Sequence, residues 1–275
     1  MRWPPYQHVI FDCDSTLTQV EGIDVLAANA GRADEVTRLT AAAMDGEMDL
    51  EDVYGERLRA VDPTRADVLA LRQAYKDDAV PDASAVVSAL LELGHEVYVV
   101  SGGLYEPVRE FGVALGVPAD NIRAVGVEYD QLAGEWWSPH QAQERYLAYG
   151  EGALAMSQGK AQIVNELTGH KAGRRMLIGD GTSDLLAAGS VELFVGFGGV
   201  AVRPKVRAGA PVFLTELSLS PVVVLAAGPA ARGRLPHQAQ RQLFDQGTAM
   251  AAAALWNDRE LADAFAAAVS AVDKV

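Results

Sequence analysis

The sequence contains only one cysteine, Cys13, among 275 residues. An internal disulfide is therefore excluded, and we expect a reducing, cytoplasmic environment. A basic excess is also missing, because 37 Asp and Glu residues outnumber 23 Lys and Arg residues and give a formal net charge of -14. Nucleic acid and anionic membrane surfaces attract basic proteins, so we expect neither as a partner. The longest apolar patch, Val222 to Ala227, is too short for a membrane span, and Met1 to Pro5 has no apolar stretch typical of a signal peptide.

Short apolar runs dominate what is present. Such runs predict buried strands when they do not alternate with polar residues, which is typical of parallel strands covered on both faces. They are Val9 to Phe11, Val97 to Val100, Met176 to Ile178, Leu193 to Val195 and Val212 to Leu214. Helical patterns lie between them, one of them with Asp82 as its expected cap. The sequence therefore predicts an α/β fold with a doubly wound, mostly parallel, Rossmann-like sheet.

The predicted core consists of residues 1–16 and 79–227. Residues 17–78 are helical by pattern and too long for one crossover, so we interpret them as an inserted helical cap. A hairpin is predicted over 125–137 and a polar loop over 138–157. Residues 228–275 form a C-terminal helical extension with two alanine-rich helices.

The second helix of the extension has a capping pattern at Asn257 and Glu260. Its apolar stripe of Leu261, Phe265 and Val269 favours packing on the core or contact within a homodimer.

Two aspartates follow the first strand directly. Residues two apart in an extended chain point the same way, so Asp12 and Asp14 share a face and Cys13 points away. Crowded carboxyl groups are tolerated where a cation binds them or where one holds a proton at neutral pH. Both conditions occur in phosphoryl-transfer sites.

A second acidic loop, Gly179 to Asp184, follows the third predicted strand and contributes Asp180 and Asp184. Carboxyl ends of parallel strands meet at one crevice, so these acids are expected beside Asp12 and Asp14. Carboxylate oxygens suit Mg²⁺, whereas the five scattered histidines do not indicate a zinc site.

Two further features suit a phosphate group. Ser101, Gly102 and Gly103 end the second long strand and open a helix, where a hydroxyl and backbone N–H groups can hold phosphate oxygens. Lys160 begins another helix, and its ammonium could neutralise both a nucleophilic carboxylate and the phosphate. Each feature alone is a weak signal.

Together these motifs resemble the haloacid dehalogenase superfamily of phosphatases. The resemblance rests on Asp12 to Thr16, Ser101 to Gly103, Lys160 and Gly179 to Asp184, in the order that the superfamily has them. It extends over about Val9 to Leu217. Within the superfamily, the chain is similar to phosphoserine phosphatases at three more places, which are Glu21 to Asp24, Glu56 to Leu58 and Val195 to Gly199.

The resemblance implies a fold, a chemistry and a place in serine biosynthesis. Asp12 would be the nucleophile that forms an aspartyl-phosphate, and Asp14 would protonate the leaving seryl oxygen and later deprotonate water. Mg²⁺ would be held by Asp12, the backbone carbonyl of Asp14 and Asp180, with Asp184 close behind. The substrate would be a small phosphorylated metabolite, in the first place O-phosphoserine.

The cap is expected to select the substrate. By resemblance, Glu21 would meet the ammonium of phosphoserine and Arg57 would bind its carboxylate in a bidentate pair. Met44, Asp45 and Gly46 depart from the family, which typically has glycine in place of Asp45. An additional anion there would weaken binding of the substrate carboxylate unless Asp45 faces away.

Three other functions compete with hydrolysis of phosphoserine. Gly196 to Ala201 fits the dinucleotide fingerprint of an oxidoreductase, although Arg203 and Pro204 would disrupt the helix that should receive the pyrophosphate. A phosphotransferase of the same superfamily, or a phosphatase with another small phosphorylated substrate, would use the same residues. A non-catalytic binding protein would leave the complete acidic set unexplained.

Overall fold

The computed structural model describes residues 3–44, 50–130, 144–150, 152–156 and 158–272. Nine strands lie in these residues, and their bounds in chain order are β1 (His8–Phe11), β2 (Glu96–Leu104), β3 (Ile122–Val125), β4 (Val127–Tyr129), β5 (Tyr146–Tyr149), β6 (Arg175–Gly179), β7 (Leu193–Phe197), β8 (Val212–Leu214) and β9 (Leu255–Trp256).

The main sheet has the order β3-β2-β1-β6-β7-β8-β9 in the described part of the chain. All neighbours run parallel except β9, which pairs antiparallel with β8. The predicted α/β class and all five predicted strands are confirmed. The sequence patterns missed β3, an edge strand in which Arg123 is exposed, because it has no continuous apolar run.

Helices surround this sheet and also form the segment between β1 and the next core helix. The described residues of that segment form four helices, called the cap helices below, which are α1 (Gly22–Asn29), α2 (Ala33–Met44), α3 (Leu50–Val61) and α4 (Arg65–Asp77). The remaining ones are α5 (Ala83–Glu92), α6 (Tyr105–Ala114), α7 (Gly159–Thr168), α8 (Thr182–Ala187), α9 (Pro204–Gly209), α10 (Ser220–Ala227), α11 (Gln238–Ala253) and α12 (Arg259–Val272).

The core lies on both faces of the sheet because neighbouring side chains of each strand point to opposite sides. In β1, Val9 and Phe11 join one apolar cluster, whereas Ile10 joins the other. All three side chains are completely buried. The strands are therefore fixed in place, and so are the residues at their carboxyl ends.

A smaller apolar cluster joins the cap helices to the antiparallel ribbon of β4 and β5. Tyr54 of α3 packs against Tyr149 of β5 with ring centroids 5.0 Å apart. The predicted loop over 138–157 is wrong in part, because it contains β5, and β4, from the expected hairpin over 125–137, pairs with this strand. Residues 131–137, the second half of that expected hairpin, lie outside the described residues.

The C-terminal helices cover the core. Phe265 of α12 contacts Trp3 at 5.2 Å and Trp256 at 5.3 Å between ring centroids. Leu261 and Val269 pack against the same cluster, so the predicted stripe faces the core. Among the residues described, no helix combines the length and apolar character needed to cross a membrane.

Neither predicted cap residue makes a side-chain cap bond to its helix, although Asp82 does occupy the N-cap position of α5. The Asp82 carboxylate makes no cap bond to α5 and instead accepts hydrogen bonds from the backbone N–H groups of Leu219 and Ser220, which cap α10. Asn257 likewise donates from its amide to the carbonyl oxygens of Arg207 and Ala210. In both cases a partner distant in the sequence takes the side chain that local spacing assigned to a cap.

Candidate active site

The candidate site lies where β2, β1 and β6 end side by side. Asp12 follows β1 and Asp180 follows β6, while Ser101 is in the last part of β2. The Asp12 N–H donates to the carbonyl oxygen of Ile178 at 2.9 Å, so the sheet ladder holds the residue directly. Because β2, β1 and β6 are neighbours in the sheet, the three predicted strand ends lie side by side. Asp12, Ser101 and Asp180 are all buried there.

Asp14 lies on the turn that leaves β1. The Cys13 carbonyl accepts backbone hydrogen bonds from residues 16, 17 and 18, and Ser15 has a φ of 52°, so the chain reverses sharply. The Asp14 carboxyl group accepts from the Gly22 N–H at 2.9 Å and the Tyr75 hydroxyl at 2.7 Å. Burial and the nearby Glu21 carboxylate raise the pKa of Asp14 to about 7, although the Tyr75 hydrogen bond opposes the shift.

A group of three buried carboxylates forms the acidic centre of the site. One oxygen each from Asp12, Asp180 and Asp184 lies within 4.8 Å of the others. Gly179 is needed for this arrangement, because a Cβ at this position would lie 2.1 Å from the Asp184 carboxyl carbon. Burial, followed by the charge of Asp12, raises the pKa of Asp180 to about 6. An all-oxygen set of this kind fits Mg²⁺. The Asp14 side chain is not part of this group. Its predicted metal contact is through the backbone carbonyl.

Lys160, at the start of α7, is a buried cation that pairs with two of these carboxylates. Its Nζ lies 2.6 Å from Asp184 Oδ1 and 3.0 Å from Asp12 Oδ1. Burial alone would lower the pKa of Lys160, but Asp12 and Asp184 outweigh burial and raise it. The ammonium is therefore charged at neutral pH and paired with the residue predicted as the nucleophile.

Ser101 and Gly102 lie beside this group. The Ser101 hydroxyl accepts from the Gly103 N–H at 2.9 Å and lies 3.5 Å from Asp14 Oδ2. Gly102 is half-buried at the end of the same strand. The strand end thus places a hydroxyl and a small residue opposite the turn that carries Asp14.

Arg203 joins Glu21 to the acidic centre, and sequence reasoning missed it. Its Nε donates to Asp180 Oδ2 at 2.7 Å, and its Nη2 donates to Glu21 Oε1 at 2.9 Å. Glu21 also accepts from the Ser15 hydroxyl at 2.7 Å. The signal that could have identified Arg203 is its place after β7, whose end lies next to that of β6.

Arg57 is on α3, three residues after Tyr54. Its Nε is buried and has no hydrogen-bond partner among the residues that the structure describes. Burial and Asp14 raise the pKa of Tyr54, whereas Arg57 lowers it, so Tyr54 lies within electrostatic range of both. Asp45, expected to affect this region, lies outside the described residues.

The possible dinucleotide motif is packed against protein. A Cβ at Gly198 would lie 2.4 Å from the Phe213 ring, and one at Gly199 would lie 2.5 Å from the Glu216 carbonyl oxygen. The glycines therefore provide room for β8 and the chain that follows it. The helix after them, α9, has only six residues. These observations disfavour the oxidoreductase alternative.

A family model described as haloacid dehalogenase-like hydrolase matches residues 9–189. The chain belongs to this family. It is thus an enzyme of the haloacid dehalogenase-like hydrolases, and the matched range begins at the second residue of β1 and includes every candidate residue above except Arg203.

Curated relatives of this hydrolase include two phosphoserine phosphatases. The one from Drosophila melanogaster is 34% identical over 212 residues, which is 76% of this chain and 75% of the relative. The one from Homo sapiens is 31% identical over 209 residues, which is 76% of this chain and 88% of the relative. A solved substrate-bound phosphoserine phosphatase complex has a TM-score of 0.64 at 21% identity and covers 79% of this chain and 97% of its own. That last likeness supports the fold.

Proposed function

We propose that this hydrolase converts O-phosphoserine to serine and phosphate through an aspartyl-phosphate on Asp12, as a Mg²⁺-dependent cytoplasmic step of serine biosynthesis. The observation that carries the proposal is the pairing of Asp12 with Lys160 at 3.0 Å within a group of three buried carboxylates. The phosphoserine phosphatases among the relatives supply the substrate class.

Asp12 is suited to nucleophilic attack. The Cys13 N–H donates to Asp12 Oδ1 at 2.7 Å, and Lys160 lies against the same oxygen, so the carboxylate has a fixed orientation. A carboxylate oxygen attacks phosphorus, the bond to the seryl oxygen breaks, and an acyl phosphate forms. Splitting the reaction in this way replaces one difficult step with two easier ones.

Asp14 is suited to the proton transfers. With a pKa raised to about 7, it retains a proton near neutral pH and can give it to the departing seryl oxygen. The resulting carboxylate then takes a proton from water as the water oxygen attacks phosphorus. This second step releases phosphate and restores both acids to their starting states.

The charge of the site requires cations. At an effective dielectric near 20, two unit charges about 4 Å apart interact by roughly 4 kcal/mol, so a phosphate dianion beside several carboxylates is strongly repelled. Lys160 offsets part of this repulsion. Asp12, Asp180 and the Asp14 carbonyl, with Asp184 behind them, would hold Mg²⁺, which would supply further positive charge to the phosphoryl oxygens.

The proposed substrate contacts divide between core and cap. Ser101, Gly102 and Lys160 would hold the phosphoryl group. Glu21, at the start of α1, would meet the substrate ammonium, and the guanidinium of the half-buried Arg57, whose Nε has no partner among the described residues, would bind the carboxylate with two parallel hydrogen bonds. We propose that residues 17–78 act as a cap that encloses the substrate against a core of residues 1–16 and 79–227.

The test is a panel of small phosphorylated metabolites assayed with and without Mg²⁺, with both free phosphate and phosphorylated acceptors measured. We expect the highest kcat/KM for O-phosphoserine, equal amounts of serine and phosphate, and loss of turnover with EDTA. The matched Asp12→Asn variant should be inactive on every substrate. Preference for another metabolite, or transfer of the phosphoryl group to an alcohol, would contradict the proposal.

A further inference from the structure

The Tyr75 hydroxyl is a polar group of the site to which neither the sequence analysis nor the proposed chemistry assigns a role. Tyr75 is in the last turn of α4 and is completely buried. Its hydroxyl donates to Asp14 Oδ1 at 2.7 Å, and the Gly22 N–H donates to the same oxygen at 2.9 Å. Two donors therefore converge on one oxygen of the proposed acid.

The position of Tyr75 is set by the core rather than by the rest of the cap helices. The side chain belongs to the large core cluster and lies 5.7 Å from the Phe111 ring of α6, between ring centroids. Two ion pairs hold the same end of α4 to α6, from Arg72 and Lys76 to Glu110 at 2.7 and 2.8 Å. The phenol is thus fixed before any substrate enters.

Gly22 shows how closely the phenol fits. A Cβ at this position would lie 2.4 Å from the Tyr75 hydroxyl oxygen, so any larger residue would displace that oxygen. The absence of a side chain at Gly22 lets α1 approach close enough for its N–H to reach Asp14 as well. The two donors form one arrangement around Oδ1.

A neutral carboxyl group has one oxygen that carries the proton and one that only accepts. Because Oδ1 accepts from both Tyr75 and Gly22, Oδ2 is the oxygen available for proton exchange with the substrate. That oxygen faces the end of β2, where it accepts a hydrogen bond from the Ser101 hydroxyl at 3.5 Å. Ser101 is also a proposed phosphate contact, so Oδ2 lies on the side of the proposed phosphoryl site.

We infer that Tyr75 is a positioning residue that, with the Gly22 N–H, orients Asp14 so that Oδ2 delivers the proton to the leaving oxygen. This inference rests on the proposed function, in which Asp14 is the general acid. In this arrangement the Tyr75 phenol, on a cap helix, determines which Asp14 oxygen donates the proton without contacting the substrate itself.

Dependence on the leaving group provides the test. An alkoxide such as the seryl oxygen requires protonation as it departs, whereas p-nitrophenolate departs readily without it. In single-turnover reactions of the Mg²⁺-loaded enzyme, Tyr75→Phe should slow transfer from phosphoserine by about tenfold or more, since a positioned general acid contributes roughly 10²- to 10⁴-fold. Because p-nitrophenolate departs without protonation, transfer from p-nitrophenyl phosphate should stay within about twofold of the wild-type rate.

Tyr98→Phe is the matched control. Tyr98 is also completely buried and donates to a carboxylate, Glu96, at 2.6 Å, but this pair lies at the start of β2, away from the site. Tyr98→Phe should leave the transfer rates from phosphoserine and from p-nitrophenyl phosphate unchanged. Gly22→Ala is the second variant, because its Cβ would displace the phenol and should reproduce the selective loss on phosphoserine.

Equal losses on the two substrates, or no loss with phosphoserine in folded Tyr75→Phe, would overturn the inference while leaving the proposed function intact. A wild-type enzyme without activity on either substrate would overturn both.

Discussion

The Lys160 ammonium and the Asp184 carboxylate form a buried ion pair in which Nζ lies 2.6 Å from Oδ1. Lys160 also contacts Asp12 on its other side, so one cation serves two carboxylates. Both side chains of the pair are buried, so the positive charge beside the proposed nucleophile Asp12 is held by protein groups rather than by solvent.

Replacing Lys160 with alanine should therefore remove most turnover. We expect kcat to fall by about 100-fold or more, as is typical when a group that stabilises transition-state charge is lost. Lys171→Ala is the control, because Lys171 pairs with Glu96 at the other end of the sheet and should leave kcat unchanged. Steady-state kinetics decide the question, and near wild-type turnover by Lys160→Ala would exclude the lysine from the chemistry.

Replacing Arg57 with alanine should impair phosphoserine more than an aryl phosphate. Loss of a charge-assisted contact to the substrate carboxylate should lower kcat/KM for phosphoserine by roughly 10- to 100-fold, whereas a substrate without a carboxylate should change little. Arg59→Ala is the control, because Arg59 lies two residues further along α3 and pairs at the surface with Glu56. Equal losses on both substrates would show that Arg57 does not recognise the carboxylate.

Replacing Arg203 with glutamine should change the affinity for Mg²⁺. The guanidinium donates to Asp180 at 2.7 Å and so adds a positive charge next to a proposed metal ligand. Because like charges repel, its removal should tighten Mg²⁺ binding measured by titration calorimetry. The exposed Arg207, one turn further along α9, gives the control Arg207→Gln. Weaker binding by Arg203→Gln would mean that the guanidinium orients Asp180 for the metal instead.

The metal-free protein should lose stability as the pH rises. The pKa of Asp14 is raised to about 7 and that of Asp180 to about 6, so between pH 4 and those values the folded state holds protons that the unfolded chain has released. Stability then falls with rising pH, by at most about 1.4 kcal/mol per pH unit for each group.

Denaturant unfolding in EDTA at several pH values measures this effect. The free energy of unfolding of wild type, relative to Asp14→Asn, should decrease from pH 5 to pH 8. A constant or increasing difference would contradict the raised pKa of Asp14.

Much of the sheet could be predicted because parallel strands buried on both faces have continuous apolar runs in the sequence, as in Val9 to Phe11. The same runs located the strand ends, and with them Asp12 and Asp180. The strand β5 was missed because its four residues do not alternate between apolar and polar and its pairing with β4 contains a register shift. Arg203 was missed, and the hydrogen bonds of Asp82 were assigned to the wrong helix, because the partners of both residues are distant in the sequence and local spacing contains no information about such contacts.

The most direct measurement is the chemical state of Asp12 during turnover. The enzyme is mixed with Mg²⁺ and ³²P-labelled phosphoserine, quenched in acid within milliseconds, digested and analysed by mass spectrometry. We predict one phosphoryl group on Asp12, removable by hydroxylamine and missing in Asp12→Asn. Rapid phosphate release by an enzyme that never carries label would mean that water attacks the substrate directly, and would contradict the proposed aspartyl-phosphate.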